Sequence, residues 1–183
     1  MTAKLLSTRD PVPASPEPGP PAGTSLLFLR EEQIRLTQDL LFLAYRDFTA
    51  SADVELERIG LGRAHHRALH FIARRPGITV SELLGLLRIT KQSLARVLGE
   101  LVARGYVMQE TGRRDRRQRL LSLTEAGRGL ERLLFERQRE VVAGAYREAG
   151  GAAIEGFRKV MRALMDGRSR ALLDGLPASD RSR

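Results

Sequence analysis

Between Arg30 and Phe48 apolar residues recur at Ile34, Leu36, Leu40, Leu41, Leu43, Tyr45 and Phe48, a density that predicts a helix buried on more than one side. A second helix is expected from Arg63 to Arg74, where Pro76 and Gly77 stop it. Thr79-Val80-Ser81-Glu82 has the spacing of a capping box and stands ahead of Leu83, Leu84, Leu86 and Leu87, which predicts a short third helix. Arg88 and Ile89 make a tight turn. Thr90 can then cap a fourth helix over 91–104, and Gly105 suits the left-handed position just beyond its end. In that helix Leu94, Val97, Leu98, Leu101 and Val102 follow the three- and four-residue spacing of a core-facing stripe.

After Gly105 the period changes. Tyr106 to Glu110 and Gln118 to Leu123 each read as a short strand, separated by a glycine-containing loop, 111–117, crowded with arginines. Thr124 can cap a long helical pattern carrying Leu130, Leu133, Leu134, Val141, Val142 and Tyr146 to a break at Gly150-Gly151. A last helix puts Ile154, Phe157, Val160, Met161 and Leu164 on one stripe, and from Asp166 the polar, charged chain is expected to fray. Six of the eight prolines lie between Pro11 and Pro21, too little apolar surface to offset ordering, so the start reads as a flexible arm.

The order of elements predicts a mainly α fold with a small β-hairpin wing. The expected architecture is a winged helix-turn-helix domain with N- and C-terminal dimerisation helices, because those helices carry more apolar surface than one winged helix can cover. The expected segments are an arm at 1–24, an N-terminal dimerisation helix and connection at 25–59, the winged helix-turn-helix at 60–123, C-terminal dimerisation helices at 124–165 and a polar tail at 166–183.

Charge sharpens this picture. The 183 residues carry a net charge of +9, and between Gly60 and Leu123 there are 13 basic against 4 acidic side chains, so the excess sits in the middle third. A concentrated positive field suits a polyanion, since each cation set against a phosphate releases condensed counterions. The chain has no cysteine, which excludes disulfides, thiolate metal sites and thiol redox sensing. No apolar run approaches the ~20 residues of a membrane helix, and the start lacks a secretory pattern, so a cytoplasmic protein is expected.

The third and fourth helices have the proportions of a helix-turn-helix, whose second helix reads bases near its N-terminus in the major groove. The face opposite the apolar stripe carries Thr90 at the cap, then Lys91, Gln92, Ser93, Ala95, Arg96 and Gly99. Glutamine can pair with adenine, alanine can touch a thymine methyl, and Lys or Arg can read guanine or hold phosphate. In the wing loop Asp115 could fix a neighbouring guanidinium and so structure the loop, leaving Arg113, Arg114, Arg116 and Arg117 to meet a narrow minor groove. No phosphate-cradling glycine loop, nucleophile motif or carboxylate cluster points to an enzyme, and no cofactor or metal is expected. The alternative is a winged-helix RNA-binding protein or ligand-dependent adaptor without sequence-specific duplex binding, which predicts exposed aromatics for stacking. Tyr106 alone lies near the basic region, at a core-like position.

The run Asp115-x-Arg117, followed after five residues by Leu123-Thr124-x-x-Gly127, resembles the wing motif of the MarR family, and the order of elements is similar to it from about Leu26 to Met165. The resemblance implies a dimeric transcription regulator, joined through its first and last two helices, that binds pseudo-palindromic operator DNA and often answers to a small-molecule effector. Gly62-Arg63-Ala64-His65-His66-Arg67 and Ile89-Thr90-Lys91-Gln92-Ser93-Leu94 are similar to the PetP-like branch of photosynthetic alphaproteobacteria, which implies targets in respiratory or photosynthetic metabolism. In the family the second helix lines the effector cavity, and where relatives commonly have Gln and an aromatic this chain has His65 and His66. His66 and His70, four residues apart, share a helical face within reach of one metal or acidic ligand, with no obvious third ligand nearby, so His65, His66 and His70 are the candidate effector-pocket residues, against the plainer reading of packed or interfacial histidines bonded locally. Without cysteine, the peroxide-sensing mode of some relatives is excluded.

Overall fold

A computed structural model describes residues 29–112 and 115–176, and the proline-rich arm, Arg113, Arg114 and the last seven residues lie outside the described residues. The chain divides into two units, residues 1–43 and 44–183. In the first, helix α1 (Glu31–Arg58) begins with Glu31 and Glu32, carboxylates that suit the positive end of the helix dipole. Arg35 closes back on Glu31 at 2.6 Å. Contrary to the burial expected around this helix, Ile34, Leu36, Leu40, Phe42 and Leu43 are exposed, Phe42 by 74%.

In the second unit α1 runs ten residues past Phe48, its expected end. Thr49, Ala52 and Leu56 are its buried residues, and polar neighbours are tied down from outside: Asp53 pairs with Arg63 at 2.6 Å and Glu55 with Arg137 at 2.8 Å. Helix α2 (Arg63–Arg74) has the expected limits and buries Ala68, Leu69 and Ile72. The sequence reading missed strand β1 (Ile78–Thr79), whose two residues are too few to show alternation. It pairs antiparallel with β3 (Arg119–Leu123), Ile78 opposite Leu121, and β2 (Val107–Thr111) pairs on the other side, Val107 opposite Leu123, giving the order β1-β3-β2.

The caps stand as expected. At α3 (Val80–Leu87) the Thr79 hydroxyl accepts the Glu82 N–H at 3.2 Å, while the Glu82 carboxylate accepts the Thr79 N–H at 2.9 Å. Arg88 then takes a left-handed conformation (φ 50°), and Thr90 Oγ1 accepts the Ser93 N–H at 3.1 Å to start α4 (Lys91–Ala103). Leu94, Val97, Leu98 and Leu101 enter a core shared with Leu56, Leu69, Ile72, Leu83, Leu121 and Leu134. Val102 does not, contrary to expectation, and is 38% exposed. Eight steps of about 100° carry it roughly 80° around the helix from Leu94, past the edge of the stripe.

Helix α5 (Glu125–Leu164) is two helical runs joined at Gly150, whose φ of 78° and ψ of 167° make the expected break. The tail expected to fray from Asp166 instead carries α6 (Gly167–Asp174). The Asp166 carboxylate accepts the Ser169 N–H at 2.7 Å, and Asp174 at the far end pairs with Arg162 of α5 at 2.8 Å. A capped turn and an ion pair to the preceding helix hold an otherwise polar segment.

The start of α5 is fixed to the wing by a close approach. Thr124 Oγ1 donates to the Gly105 carbonyl at 2.5 Å and accepts the Gly127 N–H at 3.0 Å, and the Thr124 N–H reaches the Tyr106 carbonyl at 3.1 Å. A Cβ at Gly127 would stand 2.0 Å from the Tyr106 carbonyl oxygen, whereas one at Gly129 would meet nothing within 4 Å. Gly127→Ala should therefore destabilise the protein by about 1 to 3 kcal/mol or more. Gly129→Ala should be neutral or stabilise by up to about 1 kcal/mol, the ordinary gain of alanine in a helix. Paired denaturant titrations check this, and equal effects at the two positions would contradict the contact.

Candidate nucleic-acid interface

The buried stripe of α4 fixes which residues face outward at its N-terminus. Thr90, Lys91, Gln92, Ala95, Arg96 and Gly99 are exposed, and Ser93 is half-buried. Thr90 is partly consumed by the cap, since its hydroxyl also donates to Ser93 Oγ at 2.9 Å. Among the described residues the side chains of Lys91, Gln92 and Arg96 make no hydrogen bond or ion pair, so they meet an incoming partner without first breaking an internal contact. The first helix of the pair is anchored from behind, where Arg67 donates to the Leu87 carbonyl at 2.9 Å.

The wing is ordered by backbone contacts. Asp115 was expected to fix a guanidinium; instead its carboxylate accepts the backbone N–H of Arg117 at 2.9 Å, the short-range turn an aspartate makes two residues on. The Gln118 N–H closes on the Asp115 carbonyl and the Gly112 N–H on the Gln118 carbonyl, each at 3.0 Å. Gly112 is buried, and a Cβ there would lie 2.8 Å from the Asp115 carbonyl oxygen, so the loop needs a residue without a side chain. Arg119 ties the strands together by donating to Thr111 Oγ1 at 2.6 Å. Arg116 and Arg117 are exposed and carry no side-chain bond among the described residues, while Arg113 and Arg114 fall outside them.

The three histidines separate. His65 Nδ1 accepts the Gly62 N–H at 3.1 Å, doing at the start of α2 what a glutamate does in a capping box, and its Nε2 meets Glu100 at 3.0 Å. Glu100 also takes Arg104 at 2.6 Å, and Arg104 donates to the Ile59 carbonyl. Burial works to raise the Glu100 carboxyl, but His65 and Arg104 outweigh it and hold the group below the usual range. His65 is thus a brace between the α1–α2 turn and α4, a role no spacing in the sequence signals. His70 Nδ1 lies 3.9 Å from Glu131 Oε1 of α5, and His66 stands one turn earlier on α2, where Asp53 of α1 is the charge that acts on it. Among the described residues no group of three or more His, Cys, Asp or Glu side chains is placed to hold a metal ion. No helix among them is long and apolar enough to cross a membrane.

A winged helix-turn-helix with a sheet of three short strands defines the class. The MarR family profile matches residues 59–118. The chain is 53% identical over 148 residues to the HTH-type transcriptional regulator PetP of Rhodobacter capsulatus, covering 81% of this chain and 89% of that protein. It is similar to the crystal structure of MarR, with a TM-score of 0.59 and 27% identity over 69% of this chain and 86% of that one. Streptococcus pneumoniae FabT in complex with DNA has the same fold, with a TM-score of 0.64 and 20% identity over 72% of this chain and 94% of that one. The chain belongs to the MarR family of transcriptional regulators, which are not enzymes, and the PetP relative agrees with the branch its second and fourth helices resemble.

Two histidines of α2, His66 and His70, make stability depend on pH. Burial pushes the His66 imidazole below its ordinary 6.5, with Asp53 working against this; burial, then His66 and Arg74, push His70 the same way. The folded chain therefore takes up these protons less readily than the unfolded one, so stability is full above pH 6.5 and is lost as pH falls below it. Glu131, raised by burial and partly restored by Arg132 and Arg74, has the opposite sign. Denaturant titrations at about pH 8 and about pH 5 should show a fall in unfolding free energy that is largely absent in a His66→Gln, His70→Gln variant. An unchanged fall in that variant would contradict the assignment.

Proposed function

We propose that this regulator acts in the cytoplasm as a homodimer on double-stranded DNA bearing a pseudo-palindromic operator. Helix α4 enters the major groove and the arginine-rich wing, residues 111–117, the minor groove. The observation that carries this reading is the outer face of α4, where Lys91, Gln92, Ala95 and Arg96 are exposed beside a cap that consumes Thr90 and Ser93, with the polar groups among the four unpartnered among the described residues. Gln92 and Ala95 suit base edges, while Lys91 and Arg96, with Arg113, Arg114, Arg116 and Arg117 in the wing, suit phosphate and groove. That MarR-fold structures include a complex with DNA supports the same docking.

Dimerisation follows from apolar surface that water would otherwise cover. Along α1, Leu40, Phe42 and Tyr45 are exposed, and along α5 so are Leu133, Val141, Phe157, Val160 and Leu164. Each set is the kind of patch that marks an association site. The segments 25–59 and 124–165 then serve as dimerisation helices around the DNA-binding region 60–123. Control by a small acidic effector is read onto His66 and His70, since His65 has both ring nitrogens engaged. The RNA-binding or adaptor alternative is disfavoured because the aromatics exposed among the described residues, Phe42, Tyr45, Phe135 and Phe157, belong to α1 and α5 and none to α4 or the wing strands.

Titration of selected and random duplexes tests the assignment. Gln92→Ala should lose about 1 to 3 kcal/mol on the preferred operator, with relaxed base preference at one position per half-site. Arg96→Ala should weaken binding to every duplex and make the dependence on salt shallower by about one phosphate contact. If both variants lost the same affinity on selected and random DNA, the division into reader and anchor would be wrong.

The wing has its own test. Asp115→Ala removes the acceptor that shapes the loop and should weaken binding although it deletes a negative charge, because exposed arginines must then be ordered at roughly 0.5 to 1.5 kcal/mol each. Asp115→Asn keeps an acceptor for the Arg117 N–H and should bind at least as well as wild type. Tighter binding by a folded Asp115→Ala protein would show that the carboxylate has no shaping role.

A further inference from the structure

Beyond the residues assigned above, one cation beside the reading helix is not free. Arg88 ends α3 two residues before Thr90, the cap of α4, and its guanidinium is held by the Asp166 carboxylate at 2.6 Å. Both side chains are more than half exposed, 56% for Arg88 and 52% for Asp166. A second contact lies alongside. Gly85 sits one turn earlier on α3, and a Cβ there would stand 3.3 Å from an Arg168 guanidinium nitrogen. The start of α6 therefore lies against the same side of α3 from which Arg88 projects.

The cap explains why an oxygen acceptor is needed at position 166, because the side chain accepts the Ser169 N–H at 2.7 Å. It does not explain the charge, since asparagine, serine or threonine caps a helix about as well. What the charge adds is a carboxylate paired with a guanidinium, which offers the oxygens that a phosphate would offer. Lys91 and Arg96 on the first turns of α4 have no such counter-ion among the described residues. An exposed pair of this kind is weakly held and screened by salt, so a dense row of phosphates can displace it.

Resting on the duplex-binding reading, we propose that Arg88 is a further phosphate anchor, that Asp166 occupies it in the free protein, and that DNA takes the guanidinium over from α6. The C-terminal helix thereby restrains DNA binding. Anything that draws α6 away from α3 releases one more cation to the duplex, and anything that presses it down withholds one.

The full-length protein and three variants, Asp166→Asn, Arg88→Asn and the double variant, are titrated on one mixed-sequence duplex across a range of salt. Asparagine preserves the α6 cap, and it tolerates the left-handed backbone of position 88 better than most residues. Circular dichroism checks that all four fold alike. Asp166→Asn should bind about two- to five-fold tighter at low salt, the ceiling an exposed ion pair sets, with a salt dependence steeper by up to about 0.9 in log–log slope. Arg88→Asn should bind more weakly than wild type, and the double variant should match Arg88→Asn. Asp166→Asn binding no tighter than wild type overturns the proposal. So does an equal gain on the Arg88→Asn background, which would mean that Asp166 repels DNA without acting through Arg88. Failure of the wild type to bind any duplex would overturn the duplex reading and this inference with it, whereas wild-type binding with no gain in Asp166→Asn overturns this inference alone.

Discussion

Thr124 holds the carbonyls of both Gly105 and Tyr106, where the chain leaves α4, and the absence of a side chain at Gly127 lets the first turn of α5 close over the Tyr106 oxygen. Four elements meet there: the end of α4, the start of β2, the end of β3 and the start of α5. A hydroxyl that donates one way and accepts the other satisfies a helix N-terminus and a turn carbonyl together, so the joint leaves little orientational freedom. The wing hangs from β2 and β3, and α4 is set by its buried stripe, so the angle between α4 and the wing passes through this contact. That is the physical content of a Leu-Thr-x-x-Gly run following the wing.

A second constraint comes from how cations are divided. Arg63, Arg104 and Arg137 are spent on carboxylates or carbonyls that brace the fold, and Arg119 on the hairpin. Lys91, Arg96, Arg116 and Arg117 are left without a side-chain partner among the described residues, on the two elements proposed to touch DNA. Net charge alone does not distinguish a bracing arginine from one that waits for phosphate. Burial, backbone position and the presence of a counter-ion do.

Much of the fold was legible because short polar side chains announce helix starts. Thr79 with Glu82, Thr90 and Thr124 each sit where a helix begins, and Gly105 and Gly150 take the positive φ expected at helix ends and breaks. What stayed hidden depended on partners distant in sequence. The extension of α1 to Arg58 rests on Arg63 and Arg137, α6 is held by Arg88 and Arg162, and His65 works through Glu100, 35 residues away. The apolar density of the first helix predicts burial, yet Leu40 and Phe42 are exposed, since density alone does not say whether a helix is covered by its own chain. The outer face of α4 is legible from the stripe opposite, but the Asp115 carboxylate takes the backbone N–H of Arg117, which spacing alone does not distinguish from a guanidinium.

The proposed dimer presents two copies of the α4 face to successive major grooves while each wing lies in a flanking minor groove. Its most direct test is a footprint of the full-length protein on an operator selected from random duplexes, with methylation of guanine N7 reporting the major groove and hydroxyl radicals the sugar edge of the minor groove. Two symmetric blocks of N7 protection are expected, centred about one helical turn or a multiple of it apart, each flanked on its outer side by minor-groove protection that disappears when Arg116 and Arg117 are replaced by alanine. A single asymmetric block, or protection confined to one groove, would contradict it.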